Sequence, residues 1–298
     1  PSVASTNPQT FTTPTGAYPN QLAAVAIRPA ANRAYVTSTA ASPNGPLRFN
    51  SMVQGLISVF DTAGLAEIVA AQTSPSVRQT APLNLNQGVN LDTTAPRLFL
   101  SNPVAMVWRP NGDDAWVVVQ NSDVVTRLTV DVTGVPTVGN PLVAGPGQVV
   151  RVDLEQVPAG QIPGKAPRGI AIDASGTHAY VANFVSRSIT TIDITAPTAP
   201  GIVSTVQSSA LPSPGTAEAT TQLGAELFYT GRGPDGRMSS ESWGGCIVCH
   251  PQGRSDNVTW MFEAGPRQTI PLDGMFSKLD PSDQRILNWS AVRDENHD

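Results

Sequence analysis

The chain has 298 residues, a formal net charge of −5, 40% hydrophobic and only 14% charged residues. That is apolar material enough for one large domain or two ordinary ones. The acidic balance without a Lys/Arg run argues against a nucleic-acid or anionic-membrane partner, and no apolar run approaches the roughly 18 residues that span a bilayer. The first residue is Pro1 rather than Met, which reads as a removed leader and so as export to the periplasm or the exterior. The abrupt end at "RDENHD" reads as a piece of a longer polypeptide.

Abundant Ser, Thr, Pro and Gly favour short strands joined by turns, and one pattern recurs three times. It stands as "AAVAIRPAANRAYVTS" (Ala23 to Ser38), "VAMVWRPNGDDAWVVV" (from Val104) and "RGIAIDASGTHAYVAN" (Arg168 to Asn183). In each copy an apolar run meets a Pro/Asn/Ser/Gly turn, and a second run leaves with Tyr35, Trp116 or Tyr180 at the matching position. Alternation and turn chemistry predict a β-hairpin in each. A third strand ending in Asp follows: "LISVFD" to Asp61, "VTRLTVD" to Asp131 and "ITTID" to Asp193. Weaker apolar pieces near Ile68 and Val203 supply candidate fourth strands.

Four antiparallel strands per repeat make one propeller blade, with the aromatic residue and the Val/Ile positions packing blade on blade. The stretches "AYVTS", "AWVVV" and "AYVAN" resemble the YVTN-type propeller repeat over roughly residues 20 to 206. The uneven spacing of the copies is assigned to insertions at Ser42 to Gln54 and Thr73 to Ser101. Three blades fall short of the roughly four that close a ring. Hidden blades, missing chain, or a homo- or hetero-oligomeric partner must complete the sheet arrangement, since bare edges invite association.

A Pro/Ser-rich linker, "SSALPSPGT" (Ser208 to Thr216), divides the predicted β-propeller of residues 1–210 from a small α-helical, cytochrome c-like domain of residues 211–298. The stretch "TAEATTQLGAELFYTG" (Thr216 to Gly231) predicts a helix, with Leu223 and Leu227 on one face, Glu218 early and Gly231 as its stop. Gly224 inside it predicts the close passage of another helix. Both cysteines of the chain then fall in "CIVCH", Cys246 to His250. A zinc site needs about four ligands, and a second cysteine pair is missing. A thioredoxin-like redox pair fits the two-residue spacer, and a structural disulfide is the plainest alternative. The reading preferred is covalent attachment of one haem c: two thioethers from Cys246 and Cys249, with His250 turned beneath the ring as axial ligand.

Further along, Asp280 and Pro281 predict the start of a second helix with Ile286, Leu287 and Trp289 inward. Trp243, Trp260 and Trp289 gather around the motif as an aromatic wall. "GAELF" resembles the first helix of cytochrome c domains, and "GGCIVCHPQG" with "GPRQTIP" resembles the bacterial di-haem cytochrome c peroxidase family. That resemblance implies a Gly-x-Arg-x-x-Pro run along the haem edge. Gly265, Pro266 and Arg267 match it, Pro271 sits one residue late, and Arg267 becomes the candidate propionate partner. The distal histidine and second haem motif of that family are lacking; Trp260 and Met261 stand where the histidine would fall. Met261 is the preferred sixth iron ligand, with Met275 and His297 as alternatives. The functional expectation is an exported c-type cytochrome that passes electrons to a redox protein partner, with the propeller as docking platform. The alternatives are the N-terminal part of a di-haem peroxidase or oxidase, and a propeller-based assembly subunit.

Overall fold

The computed structural model describes residues 18–43, 52–68, 83–86, 98–139, 149–234, 237–239, 241–262, 265–274, 279–280 and 282. Three antiparallel sheets follow one another along the chain. The first orders β1 (Tyr18–Ile27), β2 (Arg33–Ala41), β3 (Val53–Asp61) and β4 (Ala66–Ile68), with β5 (Leu83–Asn84) also pairing β3. In the second, β6 (Pro103–Trp108), β7 (Asp114–Val119) and β8 (Val124–Val130) are flanked by β9 (Pro136–Thr137) and β10 (Arg151–Asp153), which both pair with β8. The third is β11 (Pro167–Ile172), β12 (His178–Asn183), β13 (Ser188–Asp193) and β14 (Gly201–Gln207).

The three predicted hairpins are β1/β2, β6/β7 and β11/β12, and both weak fourth strands exist, as β4 and β14. β5, β9 and β10 are not predicted by the sequence pattern. Two or three residues are too few to show an alternation, and β5 lies inside the stretch assigned as an insertion. The Asp at the end of each third strand folds the next turn: Asp61 accepts the amides of Ala63 and Gly64, Asp131 those of Thr133 and Val135, and Asp193 that of Thr195. A short carboxylate that captures amides two to four residues on stops a strand and starts a turn. All three carboxyls are held below the usual range by these bonds: chiefly the Gly64 amide for Asp61, and the Thr133 and Thr195 side chains for the others.

The sheets stack face to face. Ala26, Tyr35, Ile57 and Val59 of the first meet Met106, Trp108, Ala115 and Val117 of the second in one core. Trp116, Val118 and Val125, on the opposite face of the second sheet, meet Ala179, Val181 and Ile192 of the third in another. Strands β6, β7 and β8 therefore bury residues in two different cores, which is why "AWVVV" is apolar throughout rather than alternating. Tyr35 stacks edge-on against Trp108 at 4.9 Å and donates its hydroxyl to the Gly134 carbonyl at 2.8 Å. Strands β1, β6 and β11 lie side by side. Consecutive antiparallel sheets of four or five strands stacked this way are blades, and three of them are described.

The remainder is mainly irregular. α1 (Ala217–Tyr229) is capped by Thr216, whose hydroxyl accepts the Ala219 amide at 3.2 Å, and carries Glu218 in its first turn. Two short 3-10 turns, Cys246–Val248 and Pro251–Gly253, precede a ribbon of β15 (Thr259–Phe262) and β16 (Gly265–Gln268). The predicted α-helical domain is thus reduced, among the described residues, to one helix. The helix expected after Asp280, with Trp289, Met275 and His297, lies outside them. Among the described residues a Cβ on Gly224 would meet nothing within 4 Å, and the helix expected to pass there falls outside them.

Candidate functional site

The Cys246–Val248 turn is held from two sides. From the first sheet, Gln21 Nε2 donates to the Val248 carbonyl at 2.7 Å and Asn20 Nδ2 to the Asp256 carbonyl at 3.0 Å. From the second sheet, the 3-10 turn Gln120–Ser122 presents Asn121, which is fully buried. Its carbonyl accepts the Gly231 amide at 2.7 Å and the Ser242 hydroxyl at 2.6 Å, while its Nδ2 donates to the Tyr229 carbonyl at 3.2 Å. A Cβ on Gly231 would sit 2.7 Å from Asn121 Oδ1 and 2.9 Å from the Gly244 carbonyl; one on Gly245 would sit 2.4 Å from Asn121 Nδ2. Those glycines let the backbone before the first cysteine close on the sheet.

On this support the chain makes one tight turn, with the His250 amide bonded to the Cys246 carbonyl at 2.9 Å. Cys246 lies at the surface and Cys249 is half-buried, and both are free thiols. Burial raises both from the usual thiol range, Cys249 to about 12, where nearby Asp256 adds to the effect. Burial also lowers His250, against the opposing pull of the Ile270 backbone and Asp256, so the imidazole is neutral at pH 7. Its Nδ1 is buried without a hydrogen-bond partner.

Around the turn, Ile247, Val248 and Trp260 pack with Ala41 and Val53 of the first sheet, with Met52, Phe228, Tyr229, Cys249 and Val258 against them. Trp260 Nε1 donates to Asp256 Oδ2 at 3.0 Å and to Thr269 Oγ1 at 3.2 Å. Trp260 is therefore fixed against the Cys246–Val248 turn. The backbone of Met261 lies in β15 opposite Pro266, and its side chain is outside what the structure describes. Arg267 is half-buried, opposite Trp260 in the ribbon, and donates to its neighbour's carbonyl, Pro266 O, at 2.9 Å.

Unpredicted charges tie the helix to the sheets. Arg232 forms a bidentate pair with Asp153 (2.6 and 3.0 Å) and reaches Glu155 at 3.3 Å. Lys165 bonds Glu155 and lies 3.5 Å from Glu226 of α1. Beneath them Asp123 is fully buried, accepts the Ala166 amide at 2.6 Å, and has its Oδ2 unpartnered. Burial pushes its carboxyl up to about 7, against the attraction of Lys165. Sequence reading missed this cluster because its members are scattered over six chain positions, and it missed Asn121 because nothing local distinguishes that residue.

Among the described residues no group of three or more His, Cys, Asp or Glu is placed to hold a metal ion, so the zinc alternative gains nothing. Nor do raised thiols suit redox exchange, which runs through the thiolate.

In comparisons with known proteins, no family model and no curated protein matches this chain. Solved structures do. A functionally unknown protein from Desulfotomaculum acetoxidans shares 16% identity over 64% of this chain and 44% of its own, at a TM-score of 0.40. The periplasmic gluconolactonase of Pseudomonas aeruginosa shares 15%, over 65% and 44%, at 0.33. The β-propeller domain of the trilobed protease from Pyrococcus furiosus shares 10%, over 64% and 43%, at 0.30. The chain spans less than half the length of these proteins. The blade description rests on this chain's own topology and sheet-to-sheet packing.

Proposed function

We propose that the chain is an exported c-type cytochrome that binds one haem through Cys246, Cys249 and His250 and passes electrons to a redox protein partner. One observation carries this reading. Two unlinked, protonated thiols share a single turn with a neutral imidazole whose buried Nδ1 lacks a partner. Thiols kept protonated and a histidine kept neutral are poor equipment for disulfide exchange or for a thiolate metal site. They fit attachment to a prosthetic group whose iron takes a neutral nitrogen.

The apolar enclosure fits too, since Ile247, Val248, Trp260, Phe228 and Tyr229 offer a macrocycle a dry wall. When bound, such a group supplies one-electron redox chemistry. The protein's own contribution is to hold the two sulfurs, orient His250, and exclude water with the Trp260 wall that Asp256 fixes. Arg267, at the ribbon edge, is proposed to approach a propionate and Met261 to supply the sixth ligand. The absence of a span-length apolar helix among the described residues is compatible with this reading.

Expression in a host that matures c-type cytochromes, followed by intact mass and a pyridine haemochrome spectrum, tests it. One covalent haem is expected, with Cys246→Ala or Cys249→Ala reducing the attachment to a single thioether. A colourless protein of unmodified mass would overturn the reading. Peroxide turnover by a five-coordinate iron would transfer it to the di-haem peroxidase alternative.

A further inference from the structure

We propose that Asp123 acts as a pH-sensitive latch on α1: neutral, it leaves Lys165 free to hold the helix against the sheets, and charged, it draws Lys165 inward and loosens the helix. The helix is suited to release, since none of the residues of Ala217–Tyr229 is fully buried. Polar and edge contacts tie it on instead. Lys165, just before β11, bonds Glu155 and lies 3.5 Å from Glu226 of the helix. Gln222 Nε2 donates to the Val185 carbonyl, Tyr229 meets Phe184 edge-on at 5.3 Å, and Asn121 Nδ2 donates to the Tyr229 carbonyl. An element with little buried apolar surface belongs to the low-stability end of a fold, where local opening precedes global unfolding.

The balance of charge singles out Asp123. Around it stand three further carboxylates, Asp153, Glu155 and Glu226, and three cations, Arg151, Lys165 and Arg232. Those six balance, so an ionised Asp123 is a fourth negative charge without a fourth cation. Its side chain is 0% exposed, Oδ1 accepts the Ala166 amide at 2.6 Å, and Oδ2 has no partner. Facing it are Lys165 and Glu155 from the connection between β10 and β11, and the Thr230 hydroxyl at the end of α1. Lys165 is thus shared among Asp123, Glu155 and Glu226.

Charging Asp123 therefore competes with Glu226 for Lys165 and adds repulsion toward Glu155. Burial raises the Asp123 carboxyl to about 7, so the latch changes state near neutral pH. Thr230 leads directly into Gly231, whose amide donates to the Asn121 carbonyl at 2.7 Å. Loosening thus begins where the backbone starts toward Cys246. The inference does not depend on the haem reading.

Native-state hydrogen exchange of the full chain at pH 6 and pH 8, corrected for the pH dependence of exchange in free peptides, tests it. Release returns Asp123 to water, where its carboxyl titrates near 3.8; linkage between that value and about 7 lowers the protection of α1 about tenfold from pH 6 to pH 8. Strands β7 and β12 are expected to stay more protected than α1 at both pH values, because the helix opens without them. In Asp123→Asn, the protection of α1 is expected not to change with pH. Glu226→Gln removes the helix's own partner for Lys165 at a partly exposed position, and is expected to hold α1 at low protection at both pH values. Equal α1 protection at pH 6 and pH 8 in the wild type would overturn the proposal. So would one shared protection level for α1 and β7, since the helix would then leave only with the whole fold, or wild-type protection at pH 6 in Glu226→Gln.

Discussion

Replacing Asp123 with Asn tests whether the buried carboxyl beneath the charged cluster governs the pH dependence of folding. Burial raises the Asp123 carboxyl from 3.8 to about 7 in the folded chain. An acid whose folded value is raised favours folding only while it is protonated. Its cost is absent below pH 3.8, grows as the unfolded chain ionises and the folded one resists, and is complete above pH 7. Three pH units correspond to about 4 kcal/mol in all, of which on the order of 2–3 kcal/mol accrues between pH 5 and pH 8. Asn tolerates the positive φ of 54° that this position adopts and stays neutral throughout. Its extra N–H, placed at the unpartnered Oδ2, adds a pH-independent cost of about 1–3 kcal/mol. Denaturant unfolding of both proteins at pH 5, 6, 7 and 8 measures the difference. Using the difference cancels the opposing slope from His250, whose lowered value removes stability as pH falls through its unfolded 6.5. The variant should gain on the wild type by about 2–3 kcal/mol over that range. Parallel curves would show that Asp123 stays ionised at every pH, held by Lys165, and the argument from burial would fail.

Gly231→Ala drives a Cβ to within 2.9 Å of the Gly244 carbonyl, which no rotamer change relieves. A loss of about 1–3 kcal/mol is expected, read as a lower thermal midpoint. Arg232→Met removes a bidentate partly buried pair with Asp153 and should cost about 1.5–3 kcal/mol, measured by urea unfolding; no change would mean that this pair adds nothing to stability. Tyr35→Phe deletes the hydroxyl, with its bond to the Gly134 carbonyl and its contact with Arg28. It should cost about 1 kcal/mol, whereas Tyr180→Phe should leave chain stability unchanged, since Tyr180 is far more exposed.

The hairpins were legible because each repeats a local code: alternation, a turn residue, an aromatic at a fixed place. The strand-ending Asp residues were legible as a pattern, though their reason, capture of amides in the following turn, needed coordinates. Tyr180 shows where that code stops. Its sequence neighbourhood predicts burial as firmly as that of Tyr35, yet burial depends on a sheet that no local stretch encodes. Likewise the CIVCH turn was found by spacing, while its support was not. Asn121 is polar, buried and flanked by Gln120 and Ser122, and an unpatterned polar triplet reads as an ordinary loop. The helix expected to cross at Gly224 lies outside the described residues. Near the cysteine turn, Gly231 and Gly245 are under steric demand, each meeting Asn121 of a sheet loop.

The same loop gives the two halves of the chain a mechanical relation that neither motif implies alone. Asn121 to Asp123 end one strand of the middle sheet and begin the next, so their backbone is fixed by the cores on either side of that sheet. From that fixed point Asn121 holds the glycine-lined approach to Cys246, and Asp123 underlies the charges that clamp α1. β1 adds a second grip through Gln21 on Val248. Anything that repositions the first sheet against the second therefore changes the geometry at the two thiols and at His250.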